Sequence, residues 1–221
     1  LKVDEEGNGH GEAIKTTEIF TNAGYLALNI AEKIDLFGTL GASRISITTN
    51  EASWVLAGNA EGRLDWETMF SWSVGARAIL YEKRRVLIGI EGQYFQTHPD
   101  LTTYVSFSDG MYNYFNEDNS MTYKEWQVGT GISYDLRCCY PNLSLTPYAA
   151  VKWGRSRFHT DNFTFTKTDT TEALTIFNLK TNKLWGFALG VSTVFCDKLS
   201  FTAEGRWADE KAFYLNGNFR F

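Results

Sequence analysis

Phe213-Tyr214-Leu215-Asn216-Gly217-Asn218-Phe219-Arg220-Phe221 closes the chain. A β-strand sends successive side chains to opposite faces. Phe213, Leu215, Gly217, Phe219 and Phe221 therefore share one face, and Ala212, Tyr214, Asn216, Asn218 and Arg220 share the other. One face is apolar and the other polar. Working back along the chain, Phe70, Trp72, Val74, Ala76, Ala78 and Leu80 oppose Ser71, Ser73, Gly75, Arg77, Ile79 and Tyr81. Trp126, Val128, Thr130, Ile132, Tyr134 and Leu136 oppose Glu125, Gln127, Gly129, Gly131, Ser133 and Asp135. Weaker alternation covers 17–30, 34–45, 86–96, 143–158, 173–195 and 199–208, which makes nine strands, and no segment has a helical period.

The connections sort by length. Residues 31–33, 83–85, 137–142 and 196–198 are short, while 46–67, 97–121 and 159–172 are long and polar, and only 209–211 departs from the alternation. Short and long connections taking turns are what an up-and-down antiparallel sheet needs, with all short turns at one end. Composition narrows the class. The longest apolar runs, such as Ala78–Tyr81 and Tyr148–Val151, fall far short of the roughly 20 residues of a membrane helix. A net charge of −5 argues against a general nucleic-acid binder, and 15% aromatic residues argue against disorder. The chain begins at Leu1 without the charged, apolar and small-residue succession of a secretory leader.

Alternation alone fits two all-β folds. In a soluble sandwich or lipocalin-like barrel the apolar face points inward. In an outer-membrane barrel it meets lipid and the polar face lines the lumen. Three features favour the membrane: polar faces of Gly, Ser, Gln and paired charges with little of the Lys that protects soluble sheets, aromatics near strand ends, and a terminal aromatic residue. Trp72, Trp126, Trp153, Trp185 and Trp207 all fall on apolar faces, as headgroup anchors would. Tyr214, Phe219 and Phe221 match the assembly signal that ends bacterial outer-membrane barrels, read by the barrel assembly machinery. The expected fold is an antiparallel up-and-down transmembrane β-barrel in the bacterial outer membrane, multi-pass, occupying 1–221 in contact with outer-membrane lipid, with 1–15 as an extracellular loop or disordered lead-in.

With lipid outside, the lumen receives Arg77, Glu91, Glu125, Lys152, Glu204, Arg206 and Arg220, with Gln93, Gln127, Tyr148, Asn216 and Asn218 between them. Mixed signs on facing walls sort solutes by charge and size. The same charges could equally pair across strands and keep the wall wetted, Glu204 with Arg206 first among them. No enzyme, metal or cofactor constellation emerges. His10, His98 and His159 lie in expected loops, and His159 beside Asp161 is the one pair that invites a test. Cys138, Cys139 and Cys196 fall in expected periplasmic turns, and an odd count leaves at least one free or intermolecular.

Several stretches have a recognisable wording. Phe20–Ser43, Trp72–Glu82, Glu125–Leu136, Thr146–Phe158 and the terminal Asn218–Phe221, in order over about 200 residues, resemble the chlamydial major outer membrane porin family. The resemblance implies a trimeric general porin passing small hydrophilic solutes and ions, with outward loops that act as antigens and a disulfide-linked envelope role. An adhesin or structural envelope protein is the alternative, and a barrel enzyme the next. Two departures stand out: Lys83-Arg84-Arg85 occupies a place where the family carries cysteines, and the long loops are shorter. Bacterial barrels have even strand numbers, and about 25 residues per strand would make roughly 16 strands need about 390 residues. The nine strands are thus expected to be the C-terminal part of a larger barrel, with a small complete barrel as the second reading.

Overall fold

The computed structural model describes residues 3–5, 14–30, 32–50, 61–108, 111–115, 119–137, 143–160, 164–166, 173–175, 178–181, 183–196, 198–208 and 211–219. The chain runs β1 (Val3–Glu5), β2 (Ile14–Asn29), β3 (Ile34–Asn50), β4 (Glu61–Trp66), β5 (Met69–Lys83) and β6 (Val86–Thr97). It continues through β7 (Asp100–Ser108), β8 (Met111–Phe115), β9 (Asn119–Tyr134), β10 (Leu136–Arg137), β11 (Leu143–Thr160) and β12 (Thr164–Thr166). Last come β13 (Ala173–Thr175), β14 (Leu179–Thr181), β15 (Trp185–Phe195), β16 (Leu199–Trp207) and β17 (Ala212–Phe219).

Nine of these form an antiparallel meander in the order β2-β3-β5-β6-β9-β11-β15-β16-β17. They overlap the nine segments of alternating sequence, but the single strand expected over 173–195 is three, β13, β14 and β15, of which only β15 joins the meander. Glu32, Arg84 and Cys196, each in a short turn, take positive φ of 44°, 60° and 52°. Among the described residues, no helix is long and apolar enough to cross a membrane.

The face assignment separates the two all-β readings. Phe213, Leu215 and Phe219 are 73%, 69% and 59% exposed, and Trp126, Val128, Ile132 and Tyr134 are exposed as well, while the polar alternates on β9 are half-buried. A soluble barrel would hide those apolar residues. Here they face outward, as a lipid-bathed sheet requires. Trp72, Tyr94 and Trp126 form an outward aromatic ladder, the first pair edge-to-face and the second tilted, with ring centroids 5.5 and 4.5 Å apart. Trp185 and Phe195 bound the 11-residue β15 on the same outward face. That is roughly 33 Å along the strand, or an apolar band about 25 Å high at a tilt near 40°.

The long connections correct the sequence reading. Residues 46–67, 97–121 and 159–172 were expected to be loops, yet β3 runs to Asn50, β4, β7, β8 and β12 lie within them, and β11 continues to Thr160. His159 consequently sits in a strand rather than a loop. β4 pairs with the far end of β3 and with β7, and β7 pairs with β8 and the start of β9. β4 and β7 thus prolong the β5–β6 hairpin past two breaks, Glu67–Thr68 and His98–Pro99. Pro99 has no N–H to continue a ladder, and its carbonyl instead accepts from the Met121 N–H at 2.9 Å. Residues 1–15 also depart from expectation: Val3–Glu5 pairs with β14, and β2 already begins at Ile14.

These additions enclose an apolar core. Ile45, Ile47, Leu64, Trp66, Leu101, Met121, Tyr123, Phe158 and Leu179 pack together at 5% exposure or less, with Ile19 and Phe95 against them. All lie on inward faces beyond the aromatic ladder, at the end of the sheet opposite the short turns.

Candidate functional site

Inside the membrane band the wall is polar. Asn29, Asp35, Arg77 and Glu91 are successive register partners across β2, β3, β5 and β6. Antiparallel pairing brings directly opposed side chains within about 5 Å of one another, so this row forms a connected line. Arg77 donates to Asp35 at 2.8 Å through Nε and approaches it to 2.7 Å through Nη2, while Asn29 donates to the other carboxylate oxygen at 2.7 Å. Beyond Glu91 the row reaches Gly129, then Lys152 and Gly186. Lys152 is a buried cation at 8% exposure.

A second group lies nearer the short turns. Tyr148 donates to Glu204 at 2.6 Å, Arg206 donates to the same carboxylate's other oxygen, and the guanidinium rests 5.7 Å from the centre of the Tyr214 ring. Gly190 is the register partner of both Tyr148 and Glu204, and a Cβ there would lie 2.4 Å from the Tyr148 ring. The missing side chain is what lets Tyr148 cross β15 to Glu204. Phe37 uses Gly75 in the same way and stacks on Tyr25 at 5.6 Å.

The sheet is strongly curled: Ile19 of β2, Ile45 and Ile47 of β3, Tyr123 of β9, Phe158 of β11 and Leu179 of β14 meet in one inward core, so strands far apart in the sheet order present their inward side chains to a common space.

Of the expected wall residues, Arg77 and Glu91 share the first row with Lys152, and Tyr148, Glu204 and Arg206 share the second group. Glu204 and Arg206 form the pair expected of them. Gln93 donates to Ser73 at 2.9 Å, and Glu125 accepts from Tyr123 at 2.5 Å and from Gln127, closer to the apolar core. Asn216 and Asn218 stand opposite Thr202 and Ser200 toward the short-turn end. Of the residues expected to form an assembly signal, Tyr214 faces in and Phe219 out. Arg220, Phe221, Cys138, Cys139, His10 and Asp161 lie outside the described residues. Cys196 is an exposed free thiol in the β15–β16 turn. No cluster of three metal-ligating side chains occurs among the described residues.

Sequence reasoning missed Tyr25, Asn29 and Asp35. The signal was available, because all three are odd-numbered positions on strands whose even positions carry the exposed Leu26, Leu28, Leu36 and Leu40.

The chain is similar in sequence to known outer-membrane proteins. The family model described as Chlamydia major outer membrane protein matches residues 3–65, 61–115 and 112–179. A major outer membrane porin of Chlamydia pneumoniae is 29% identical over 295 positions, covering 99% of this chain and 74% of that protein. The major outer membrane porin, serovar L1, of Chlamydia trachomatis is 28% identical, covering 98% and 74%. An alignment of 295 positions against 221 residues means that these relatives carry insertions this chain lacks, in keeping with its shorter loops. The crystal structure of the Ralstonia pickettii toluene transporter TbuX superposes with a TM-score of 0.40 at 13% identity, covering 91% of this chain and 58% of that one. With the family model spanning most of its length, the chain belongs to the Chlamydia major outer membrane protein family, as a multi-pass protein of the outer membrane.

Proposed function

We propose that the curled sheet closes into a barrel whose polar interior passes small hydrophilic solutes and ions across the outer membrane. The observation that carries this reading is the polarity of the wall: apolar residues are exposed outward, and a connected set of charges converges inside. In that reading the Asn29–Glu91 row and the Tyr148–Glu204–Arg206 group form the eyelet, and the apolar core is its outer constriction. A fixed charge in a narrow wet passage acts within a Debye length of about 8 Å at physiological salt.

Planar-bilayer recording tests this directly. The wild-type chain is expected to give discrete conductance steps, and Arg77→Glu or Lys152→Glu to shift the reversal potential toward cations. An unchanged reversal potential in both variants would place these side chains outside the ion path.

One observation favours a second reading. The buried cluster of Ile45, Trp66, Phe158 and their neighbours fills the inward space at the end opposite the short turns, as suits a structural envelope protein with a closed lumen. A reconstituted, folded chain with no conductance at any voltage would select it. Under either reading a homotrimer, recognition of the C-terminal strand by the assembly machinery, and intermolecular disulfides through Cys138, Cys139 or Cys196 are proposals. Non-reducing electrophoresis of intact envelopes, with oligomers that collapse on adding thiol, is the expected sign of the last.

A further inference from the structure

The outward face changes character just past the aromatic ladder. On β9, Trp126 is followed two positions toward the core end by Lys124, and on β11, Trp153 is followed by Arg155 and Arg157. Ahead of Trp185 stands Lys183, and Lys180 lies in β14. Arg157 is the register partner of Lys124 on one side and of Lys180 on the other. Like charges directly opposed across strands are destabilising, and three stand in one line. Lys124, Arg155 and Arg157 are exposed. Their register neighbours among the described residues are Gln96, Trp126, Lys180 and each other, none of them acidic. Asp4 of β1 is the far register partner of Lys180, so the first three cations make the centre of the patch.

Directly below, on the same strands, an apolar groove of about 440 Å³ runs down the outer wall. Ala149 and Gly131 make its floor, and Ile132, Phe187, Leu189 and Trp207 help to line it. From Arg155 to Ala149 is roughly 20 Å along the strand. At the tilt of a barrel strand this is a depth of about 15 Å, one leaflet of a ~30 Å hydrocarbon core.

We propose that this face binds a phosphorylated, multiply acylated glycolipid of the outer leaflet, its phosphates on Lys124, Arg155 and Arg157 and an acyl chain in the groove. The inference rests on the outer-membrane barrel reading, because that reading places the patch at headgroup level. Two independent features select this occupant. The cations stand where an anionic headgroup lies and have no acidic register partner among the described residues, and the groove beneath them is apolar and reaches about one leaflet down. A phosphate accepts several charge-assisted hydrogen bonds at once, which turns the opposed cations from a repulsive line into a shared cradle.

The test uses the full chain in neutral detergent, with native mass spectrometry after adding diphosphorylated, monophosphorylated or dephosphorylated lipid A. Wild type is expected to retain the diphosphorylated lipid most strongly and the dephosphorylated one least. The triple variant Lys124→Gln, Arg155→Gln, Arg157→Gln should lose retention about tenfold, or roughly 1.4 kcal/mol. Ala149→Trp, which fills the groove and keeps every cation, should weaken retention of the acylated lipid as well and remains informative if the triple variant does not fold. Equal retention of the three lipids by wild type, or no effect of either variant, overturns the site. Binding of soluble heparin that disappears in the triple variant, with no lipid preference, also overturns it by assigning the patch to a sulfated polysaccharide. Insertion into vesicles is scored separately by protease resistance. A chain that inserts but shows no lipid preference defeats the site alone, and one that inserts in vesicles of no composition defeats the barrel reading too.

Discussion

On β3, Leu36 and Leu40 point outward and are exposed, whereas Ile45 and Ile47 point inward and are buried. On β9, Trp126 and Ile132 face out, while Met121 and Tyr123 face in. The same strands thus build two regions of opposite polarity. In the band the apolar side is outside and the inner side carries Asp35, Arg77 and Glu204. In the cap beyond the aromatic ladder the apolar side is inside, and Arg44, Arg63, Lys124 and Arg157 stand outside. Each arrangement answers to its solvent: lipid tolerates no unpaired charge on the band's exterior, and water drives apolar side chains into the cap's interior. The crossover therefore marks the edge of the membrane.

The sharpest way to break that contrast is to hollow out the cap. Phe158, fully buried and packed at 4.6 Å on the Tyr123 ring, should cost about 3–5 kcal/mol when changed to Ala. Denaturant titration of the vesicle-inserted chain checks the loss, and hydrogen exchange should rise in β4, β7 and the start of β9 while the band stays protected. If the pore reading holds, conductance should increase in the same variant. A cost under 1 kcal/mol would mean the cluster is not a packed core.

The reverse probe places a charge on the band. Ile132→Lys puts an ammonium on the lipid-facing side of β9, roughly 20 Å along the strand from Trp126, and should cost about 2–4 kcal/mol. Ser120→Lys, exposed on the same face of the same strand within the cap, should stay within about 0.5 kcal/mol, as exposed surface changes do. Equal costs at the two positions would deny that the membrane edge lies between them.

A smaller effect belongs to the inner wall. Glu204→Gln weakens the hold on Arg206 and Tyr148 at a half-buried site. Hydrogen bonds to charged groups contribute about 1.5–3 kcal/mol, and water in the lumen should reduce the loss to about 1 kcal/mol. A double-mutant cycle with Arg206→Gln isolates the pair, and a coupling indistinguishable from zero would reduce it to a solvated contact.

The polarity switch also explains what the sequence could and could not disclose. Period-two alternation exposed all nine band strands, because the phase of Trp126 through Leu136 or Phe213 through Phe219 holds over a full membrane crossing. At the cap the apolar residues change parity, from even Leu36 and Leu40 to odd Ile45 and Ile47, and from even Trp126 to odd Tyr123 and Met121. A reader following one phase sees the strand end there, and the remainder reads as polar loop. Trp66 and Leu101 are harder still, since each sits beside a break, at Glu67–Thr68 or His98–Pro99, in a run too short to show a period. On the wall, Glu204 and Arg206 were legible from their spacing. Asp35 was hidden by a strand read chiefly for its aliphatic face, and the reach of Tyr148 over Gly190 depends on a register between β11 and β15 that no local pattern encodes.

The smallest effect lies in the band's turns, where backbone rather than solvent decides. Arg84 adopts φ of 60° in the two-residue connection between Lys83 and Val86. A side chain in the left-handed region costs roughly 1–2 kcal/mol through its Cβ and the following carbonyl, and glycine avoids that clash while giving up more conformational freedom on folding. The two terms partly cancel, so Arg84→Gly should stabilise the chain by about 0.5 kcal/mol, seen as a small upward shift of the denaturant midpoint at unchanged slope. Arg84→Ala keeps the Cβ and gains nothing from the turn. If Ala and Gly raise the midpoint equally, the benefit comes from removing the charge beside Lys83 and Arg85, and the φ argument for this turn fails.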